Sequence, residues 1–287
     1  MVRLYSKIQT LFIVAFGVTM ASCSAPRLTV MSFNVRQSHV READSFNSWD
    51  KRKDACAEMI SAKMPDIVGF QEAQYKNQWS FFKNKFDSDY SAVGVGRDNG
   101  SDKGETTGFL YKKVMFELLD SGTFWQSETP DKPSICYKDM YKCPRSATWA
   151  LLKVKKSGRE FIYINTHTAV DYYSVQQGLR VIFRWLDSYN TKGYPVVMTG
   201  DFNSTPDNDV FKELRQRFND ARDLAPSGKT DSITTYNAWG KKEKAKILDY
   251  VWLTPGIKCL EYSTDTCEYC GHKLISDHFP ISAIIKL

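Results

Sequence analysis

The chain has 287 residues, of which 42% are apolar and 14% aromatic, and its formal net charge is +6. This composition is ample for a buried core and excludes a chain too polar to fold. The 39 lysine and arginine residues form no long basic run, so the charge favours anionic partners in general and is weak evidence for nucleic acid.

Residues 1–23 resemble the export signal of a bacterial lipoprotein. Two basic residues precede an apolar run at 11–20, which is too short to span a bilayer. Small residues then lead to Cys23, as in a lipobox, where the cysteine is lipidated and becomes the mature N-terminus. We therefore expect an exported, lipid-anchored protein of the bacterial cell envelope, periplasmic or surface-exposed, with residues 24–27 as a short tether. An ordinary signal peptide is the alternative.

Strands and helices are predicted to alternate along residues 28–287, which we interpret as one domain. The predicted strands are 28–35, 67–70, 90–96, 108–112, 148–155, 160–166, 195–200, 247–253, 257–262 and 281–286. The predicted helices are 47–62, 75–86, 172–190 and 208–218. A hairpin is predicted through 115–126, and a long loop over one face at 127–147. Neither half closes a sheet alone, which favours a two-layer sheet sandwich flanked by helices.

Six cysteines follow Cys23, and in an exported protein they can pair. Cys136 and Cys143 share the 127–147 loop, and we expect them to form a bridge. A second group has the irregular spacing of a poor zinc site; it consists of Cys259, Cys267, Cys270 and His272. Disulfides are favoured over zinc there because of the compartment.

Polar side chains stand at the ends of the predicted strands. They are Asn34, Glu72, His167, Asp201, Asn203, Asp249, Asp277 and His278. Carboxylates, amides and imidazoles at one rim suit a hard divalent cation, Mg²⁺ or Mn²⁺, together with a phosphate. The alternative for a buried carboxylate such as Glu72 is an ion pair with a basic side chain.

The chemistry available at these positions is acid–base and electrostatic. Asp201 can orient or deprotonate a water, and Asn203 can donate to a phosphoryl oxygen. Asp249 can hold the ring of His278 in one tautomer. His167 can stabilise charge that develops on phosphorus. An Asx turn at Asp201 is compatible with this role.

Six segments in order resemble the endonuclease/exonuclease/phosphatase superfamily, a magnesium-dependent group that includes DNase I-like nucleases, inositol polyphosphate 5-phosphatases and neutral sphingomyelinases. They are SFNVR (32–36), GFQEA (69–73), NTHT (165–168), GDFNSTP (200–206), LDYVW (248–252) and SDHFPI (276–281). The resemblance implies a DNase I-like four-layer α/β sandwich, in which two packed, mostly antiparallel sheets are flanked by helices.

The resemblance also implies roles for single residues. The implied metal ligands are Asn34, Glu72 and Asp277. The implied catalytic residues are Asp201 for water activation, Asn203 and His167 for phosphate, and His278 held by Asp249. The chain departs from many members after His167, where Thr168-Ala169-Val170 replaces a His-Leu pattern, which weakens any transfer of substrate preference.

Segments 104–113 and 124–150 resemble an exported bacterial branch of the family. The positions that would line its pocket are Glu105, Tyr111, Arg145 and Trp149. Arg145 offers a planar fork to phosphate. For Tyr111 and Trp149, packing within a strand is an equal alternative.

Three functions are open at this stage. The favoured one is a Mg²⁺-dependent, monomeric phosphoesterase that hydrolyses phosphate mono- or diesters on small, glycan-linked or lipid-linked substrates. The alternatives are a DNase I-like endonuclease acting on nucleic acid and a non-catalytic binding lipoprotein. The enzyme is favoured over the binder because every catalytic position is filled, and we expect the 127–147 loop to select compact esters over duplex DNA.

Overall fold

The computed structural model describes residues 25–38 and 45–287, so the predicted signal peptide and Cys23 lie outside the described residues. The strands, numbered β1 to β14, are Arg27–Asn34, Ile67–Gln71, Ala73–Gln74, Tyr90–Val93, Glu105–Thr106, Phe109–Lys112, Phe116–Trp125, Ser146–Val154, Glu160–His167, Val196–Asp201, Asn219–Asp220, Asp249–Leu253, Lys258–Thr264 and Ile281–Lys286. The α-helices, numbered α1 to α5, are Trp49–Lys63, Ser80–Lys85, Tyr172–Tyr189, Ala221–Leu224 and Pro226–Thr230. The 3₁₀ turns are Ser45–Asn47, Asp209–Phe211, Leu214–Gln216, Ala238–Gly240 and Lys242–Lys244, and a π-turn covers Tyr75–Trp79.

Two six-stranded sheets form the centre of the molecule. The first has the order β13-β14-β1-β2-β6-β4 and the second has the order β11-β12-β10-β9-β8-β7. Only β1–β2 and β9–β10 pair in parallel within these two sheets, while the other neighbours run antiparallel. The predicted sandwich of mostly antiparallel sheets is confirmed.

Three apolar clusters separate four layers. One lies between the sheets and includes Val30, Tyr163 and Val251. A second packs the outer face of the second sheet against α3, and a third packs the first sheet against α1 and α2. Because both faces of each sheet are covered, the central strands are buried along their whole length, as in β2 and β10.

Helix α3 shows how local sequence sets one of these layers. Asp171 caps it by accepting a hydrogen bond from Ser174 N at 2.9 Å, which satisfies one of the free N–H groups of the first turn. Buried side chains at helical spacing, among them Val175, Leu179 and Ile182, then face the second sheet. The predicted helix 172–190 is confirmed to within one residue.

Two predicted elements are wrong. The segment 115–126 is one long strand, β7, which pairs with β8 along its whole length in place of folding back as a hairpin. The segment 208–218 forms two 3₁₀ turns in place of one helix. Within the described residues no helix is long and apolar enough to cross a membrane.

The cysteine predictions are also corrected. All six described cysteines are free thiols, Cys136 and Cys143 included. The two face each other across the loop, where Cys136 N donates to Cys143 O at 3.3 Å. The thiol of Cys143 instead contacts Asp139 Oδ2 at 3.2 Å. Within the described residues, no group of ligand atoms close enough to hold a metal includes a cysteine.

Candidate active site

The predicted polar residues meet at one rim of the sandwich, where strands of both sheets end. Asn34 ends β1 and Glu72 follows β2, its parallel neighbour. In the other sheet, His167 ends β9 directly opposite Asp201 at the end of β10. Asp249 begins antiparallel β12 and lies opposite Asp201 on its other side. Parallel strands bring their carboxyl ends to one edge, so residues far apart in sequence become neighbours.

Two residues of the site, Glu72 and Asn203, have a left-handed backbone conformation. Glu72 has φ 60° and Asn203 has φ 49°, both in the left-handed region, which is uncommon for residues other than glycine and clusters at functional sites. Gly200 allows close packing just before Asp201, because a Cβ there would lie 2.3 Å from Thr166 O.

The amide of Asn34 joins the two halves of the site. Its Nδ2 donates to Asp201 Oδ2 at 2.9 Å and lies 3.2 Å from Glu72 Oε1. The second oxygen of Glu72 accepts from Gln37 N at 3.1 Å. Burial would raise the pKa of Glu72, but the charges of Arg36 and His278 outweigh it and lower that pKa. Glu72 is therefore held as a carboxylate.

Asp249 and His278 form the predicted dyad, with Asp249 Oδ2 2.8 Å from His278 Nδ1. The other ring nitrogen, Nε2, lies 3.7 Å from Asp201 Oδ2. Burial would lower the pKa of His278, but the carboxylates of Asp249 and Asp201 outweigh it and raise that pKa to about 10. At neutral pH His278 is therefore an imidazolium fixed in orientation by its partner.

The pKa of His167 is shifted in the opposite direction from that of His278. Burial, followed by the guanidinium groups of Arg145 and Arg97, holds its pKa well below the usual range. Asn203 Nδ2 is fixed by Thr168 O at 3.1 Å and donates to His167 Nε2 at 3.0 Å. The two histidines of the site thus divide into one neutral ring and one cation.

The carboxylates suit a divalent cation. Burial, and then the charge of Asp249, raises the pKa of Asp201 to about 7, and burial raises the pKa of Asp277. Glu72, His167 and Asp201 each offer a ligand atom within 4.8 Å of the others. Such an excess of buried negative charge is the setting that a hard cation neutralises.

Arg36 lies between two of the predicted metal ligands, Glu72 and Asp277. Arg36 Nη1 lies 3.9 Å from Glu72 Oε2 and 3.5 Å from Asp277 Oδ2. The two carboxylates therefore face a common point, where the guanidinium partly balances their charge. Asn34 contacts Glu72 through Nδ2, while its Oδ1, the atom that could bind a cation, accepts from Arg36 N at 3.0 Å.

Beneath the rim, Asn165 ties the two sheets together, a role that sequence reasoning missed although the residue lies in a quoted motif. Its Oδ1 accepts from Gln71 Nε2 at 2.7 Å and from Thr199 Oγ1 at 3.0 Å, and its Nδ2 donates to Phe70 O at 2.8 Å. A Cβ on Gly69 would lie 2.5 Å from Asn165 Oδ1. The network therefore needs glycine there, and it fixes the strands that carry the site.

Arg52 is a second supporting residue without a sequence signal. It is 1% exposed and donates to Arg36 O at 2.7 Å and Ile275 O at 3.0 Å, as well as to the carbonyl of Val35. These carbonyls belong to the loops that follow Asn34 and precede Asp277. One buried guanidinium thus connects the metal-side segments, which are far apart in sequence.

Tyr236 is a site residue that the sequence did not reveal. Its ring centroid lies 4.9 Å from that of His278, and its backbone bridges both His278 and Lys246. Burial, and then the carboxylates of Asp277 and Glu72, raises its pKa. The ring therefore forms one wall of the site.

Of the four predicted substrate-binding residues, Arg145 and Glu105 lie near this centre. Arg145 is 4% exposed. Its nearest carboxylate is Asp139, with Nε–Oδ2 3.7 Å, and among the described residues none accepts a hydrogen bond from that Nε. Glu105 pairs with Arg97, Oε2–Nη1 2.7 Å. Burial outweighs that pairing and raises the pKa of Glu105 to about 6.

The structure does not place Tyr111 or Trp149 in the site. Tyr111 lies opposite Ile67 at the far end of β2 and packs in the cluster between the sheets. Trp149 packs against Trp185 and Tyr189 of α3, with ring centroids 4.7 and 4.5 Å away. For both residues the packing alternative holds and the pocket assignment is corrected. Aromatic residues in strands carry no signal that tells these roles apart.

The fold and this rim of carboxylates and imidazoles define a hydrolase that acts on phosphoric ester bonds. The chain belongs to the endonuclease/exonuclease/phosphatase family, whose model matches residues 31–278.

Three proteins illustrate what this chain is similar to. A family member from Bacteroides vulgatus superposes with a TM-score of 0.82 at 29% identity, covering 91% of this chain and 99% of that one. A mannosyl-6-phosphatase from Bacteroides thetaiotaomicron gives a TM-score of 0.79 at 26% identity, covering 91% and 100%. Nocturnin from Rattus norvegicus is 26% identical over 91% of this chain, and the match spans 65% of its length.

Proposed function

We propose that the protein is a Mg²⁺-dependent phosphoesterase that acts on compact phosphate esters, with a sugar-linked monoester as the favoured substrate class. The observation that carries this is Arg145. Arg145 is 4% exposed, its Nε has no hydrogen-bond partner within the described part of the chain, and the nearest carboxylate, Asp139, lies 3.7 Å from that Nε. A buried donor without a partner is costly unless a ligand anion completes it. Phosphate matches its planar fork.

Each of the chain's own groups has a step in this reaction. Glu72, Asn34 and Asp277 would hold Mg²⁺, which supplies Lewis-acid polarisation of a phosphoryl oxygen. Asp201 takes the proton from the attacking water, since it lies at the centre of the rim. Asn203 donates to a phosphoryl oxygen and the imidazolium of His278 stabilises charge that develops in the transition state.

The monoester is favoured by charge and by similarity. A monoester brings a larger anionic charge, which Arg145 and the imidazolium of His278 can compensate together. The mannosyl-6-phosphatase noted above is 26% identical over 91% of the chain. The two ends of the loop 127–147 meet where Gln126 N donates to Arg145 O at 2.8 Å, which places Arg145 at the base of the loop.

A nuclease is the second candidate, and one observation favours it. Lys241, Lys242, Lys244 and Lys246 are exposed in a short segment. Lys246 pairs with Tyr236, whose ring packs on His278. A basic segment beside an aromatic wall suits a nucleic-acid backbone.

A substrate panel decides between the two. Purified protein with MgCl₂ is given p-nitrophenyl phosphate, bis-p-nitrophenyl phosphate, mannose 6-phosphate, inositol phosphates, sphingomyelin, RNA and plasmid DNA. We expect the highest kcat/KM on a sugar monoester. Plasmid or RNA cleavage that exceeds every small ester would replace this proposal with the nuclease.

We also propose that Cys23 anchors the protein to a membrane of the cell envelope, since residues 1–23 have the pattern described above. Cys23→Ser should move the protein from the membrane fraction to the soluble or uncleaved pool. Wild-type protein released into the medium without an N-terminal lipid would contradict the anchor.

A further inference from the structure

Beside the active rim, loop 127–138 and the first turn of α3 enclose an open cavity of about 300 Å³. Two tyrosines, Tyr137 and Tyr173, form its aromatic wall, with ring centroids 6.2 Å apart at 90°. Tyr173 is 45% exposed, and Tyr137 has φ 41°, a strained backbone for a bulky residue. No residue assigned above to the phosphate reaction lines this cavity.

The register of the second sheet places this cavity relative to the site. Trp125 pairs with Ser146 at the end of β7, and Asp201 pairs with His167 at the end of β10. β8 and β9 lie between these elements in the order of the sheet. Strands are spaced about 4.8 Å apart, so the end of β7 lies roughly 15 Å from Asp201. The cavity begins two residues after β7, at Ser127, and lies against α3.

The side chains that line the cavity suit a neutral ligand with many hydroxyl groups. The lining combines the two tyrosine rings with the exposed side chains of Thr129, Glu128 and Lys138. Lys138 Nζ lies 5.2 Å from the centroid of the Tyr173 ring. Amphipathic rings with hydrogen-bonding neighbours recur where a ligand is part apolar and part polar. A nucleic-acid track would need net positive charge, whereas this lining has one charge of each sign.

From this we propose that the cavity is a glycan subsite, which binds a sugar unit distant from the phosphate while the phosphorylated sugar occupies the catalytic rim. The proposal rests on the phosphoesterase function and specifies its substrate as a phosphorylated oligosaccharide. The separation along the rim is one that a chain of sugars spans and that a single sugar phosphate does not. The tyrosine rings pack on the C–H faces of the sugar, and the side chains of Thr129, Glu128 and Lys138 bond its hydroxyl groups.

The test compares substrates of different length in matched variants. Wild type, Tyr173→Ala and Tyr173→Phe are assayed on p-nitrophenyl phosphate, mannose 6-phosphate and a mannotriose phosphorylated at its terminal 6-position. Tyr172→Ala is the control, since Tyr172 is 49% exposed in the same helical turn and does not line the cavity. Binding of unphosphorylated mannotriose is measured by calorimetry, independently of catalysis.

We expect Tyr173→Ala to lower the ratio of kcat/KM on the trisaccharide to kcat/KM on the aryl phosphate by roughly 3- to 10-fold, the worth of one aromatic packing contact. Tyr173→Phe, which keeps the ring, and Tyr172→Ala should leave this ratio unchanged. Mannotriose binding should weaken in Tyr173→Ala alone.

Two outcomes overturn the proposal, and a third separates the glycan site from the phosphoesterase function. Equal ratios in wild type and Tyr173→Ala, with equal mannotriose binding, would mean that the cavity is an unoccupied surface depression. Loss of affinity in Tyr173→Ala for a short single-stranded DNA, without loss for mannotriose, would assign it to nucleic acid. If no variant hydrolyses any ester while mannotriose still binds through Tyr173, the reaction fails and the glycan site stands.

Discussion

Arg145→Met tests whether the buried guanidinium exists to bind phosphate. Methionine fills a similar volume without charge, and Nε of the arginine it replaces has no hydrogen-bond partner within the described residues. We therefore expect the loss to fall on substrate binding in the transition state, with little lost from internal contacts. Arg145→Lys keeps the charge but loses the planar fork, so its activity should be intermediate.

The magnitude follows from the bonds that a bidentate fork makes. Each hydrogen bond to a charged group contributes roughly 1.5–3 kcal/mol net, so two of them contribute about 3–6 kcal/mol. At about 1.4 kcal/mol for each ten-fold change, kcat/KM on the best monoester should fall by roughly 10²–10⁴-fold.

Stability serves as the internal check on this reasoning. The substitution leaves Asp139 buried, although its Oδ2 still accepts from Cys143 N at 3.4 Å. We therefore pair Arg145→Met with the double variant Arg145→Met/Asp139→Asn, which should unfold near the wild-type Tm. Arg180→Met is the control, because Arg180, which lies on α3, forms a surface ion pair with Glu213. If Arg145→Met keeps kcat/KM within about three-fold of wild type, the phosphate role is wrong.

Three further outcomes are expected. Chelation should abolish turnover, and Mg²⁺ or Mn²⁺ should restore it. Glu72→Gln should need a higher metal concentration for half-maximal activity, which a metal titration measures. Unchanged activity in metal-free buffer would refute the metal site. Asp201→Asn and His278→Ala should each lose roughly 10²–10⁴-fold in kcat with an intact circular dichroism spectrum; near-wild-type kcat in either would refute its role. Burial raises the pKa of Asp220 in the folded state to about 7, so its protonated form favours folding and stability falls as pH rises from about 4 through 7. Asp220→Asn keeps the side-chain oxygen that accepts from Arg222 N. In urea titrations its free energy of unfolding should exceed that of wild type by roughly 2–4 kcal/mol at pH 8 but not at pH 4. An equal gain at both pH values would contradict the raised pKa of Asp220.

The corrected elements show where sequence patterns fail. The segment 115–126 was predicted as a hairpin, yet it pairs along its whole length with β8, which lies outside that segment. The segment 208–218 was predicted as one helix, but its apolar residues Val210, Phe211 and Leu214 pack in the outer cluster from two 3₁₀ turns. Tertiary packing overrides local periodicity where segments are short.

The sequence alone determined the strands that carry the site and most of its chemical groups. Short apolar runs bounded by turn residues favour buried strands, and a polar side chain that ends such a run is expected at a sheet edge. Asn34, Glu72, His167 and Asp201 follow this rule, and the structure gathers them. The dyad of Asp249 and His278 was likewise predicted and lies at hydrogen-bond distance.

Only the tertiary structure decided which groups support the site and which fill the core. Ser276 Oγ donates to Asn34 O across 242 residues of sequence, and Asn165 reaches Gln71 across 94. The residue type alone does not separate Tyr111 from Tyr236. In the structure Tyr111 packs in the core between the sheets, whereas the ring of Tyr236 faces His278. Local patterns record which face of an element is buried, whereas the partner of a polar or aromatic side chain depends on how the two sheets pack.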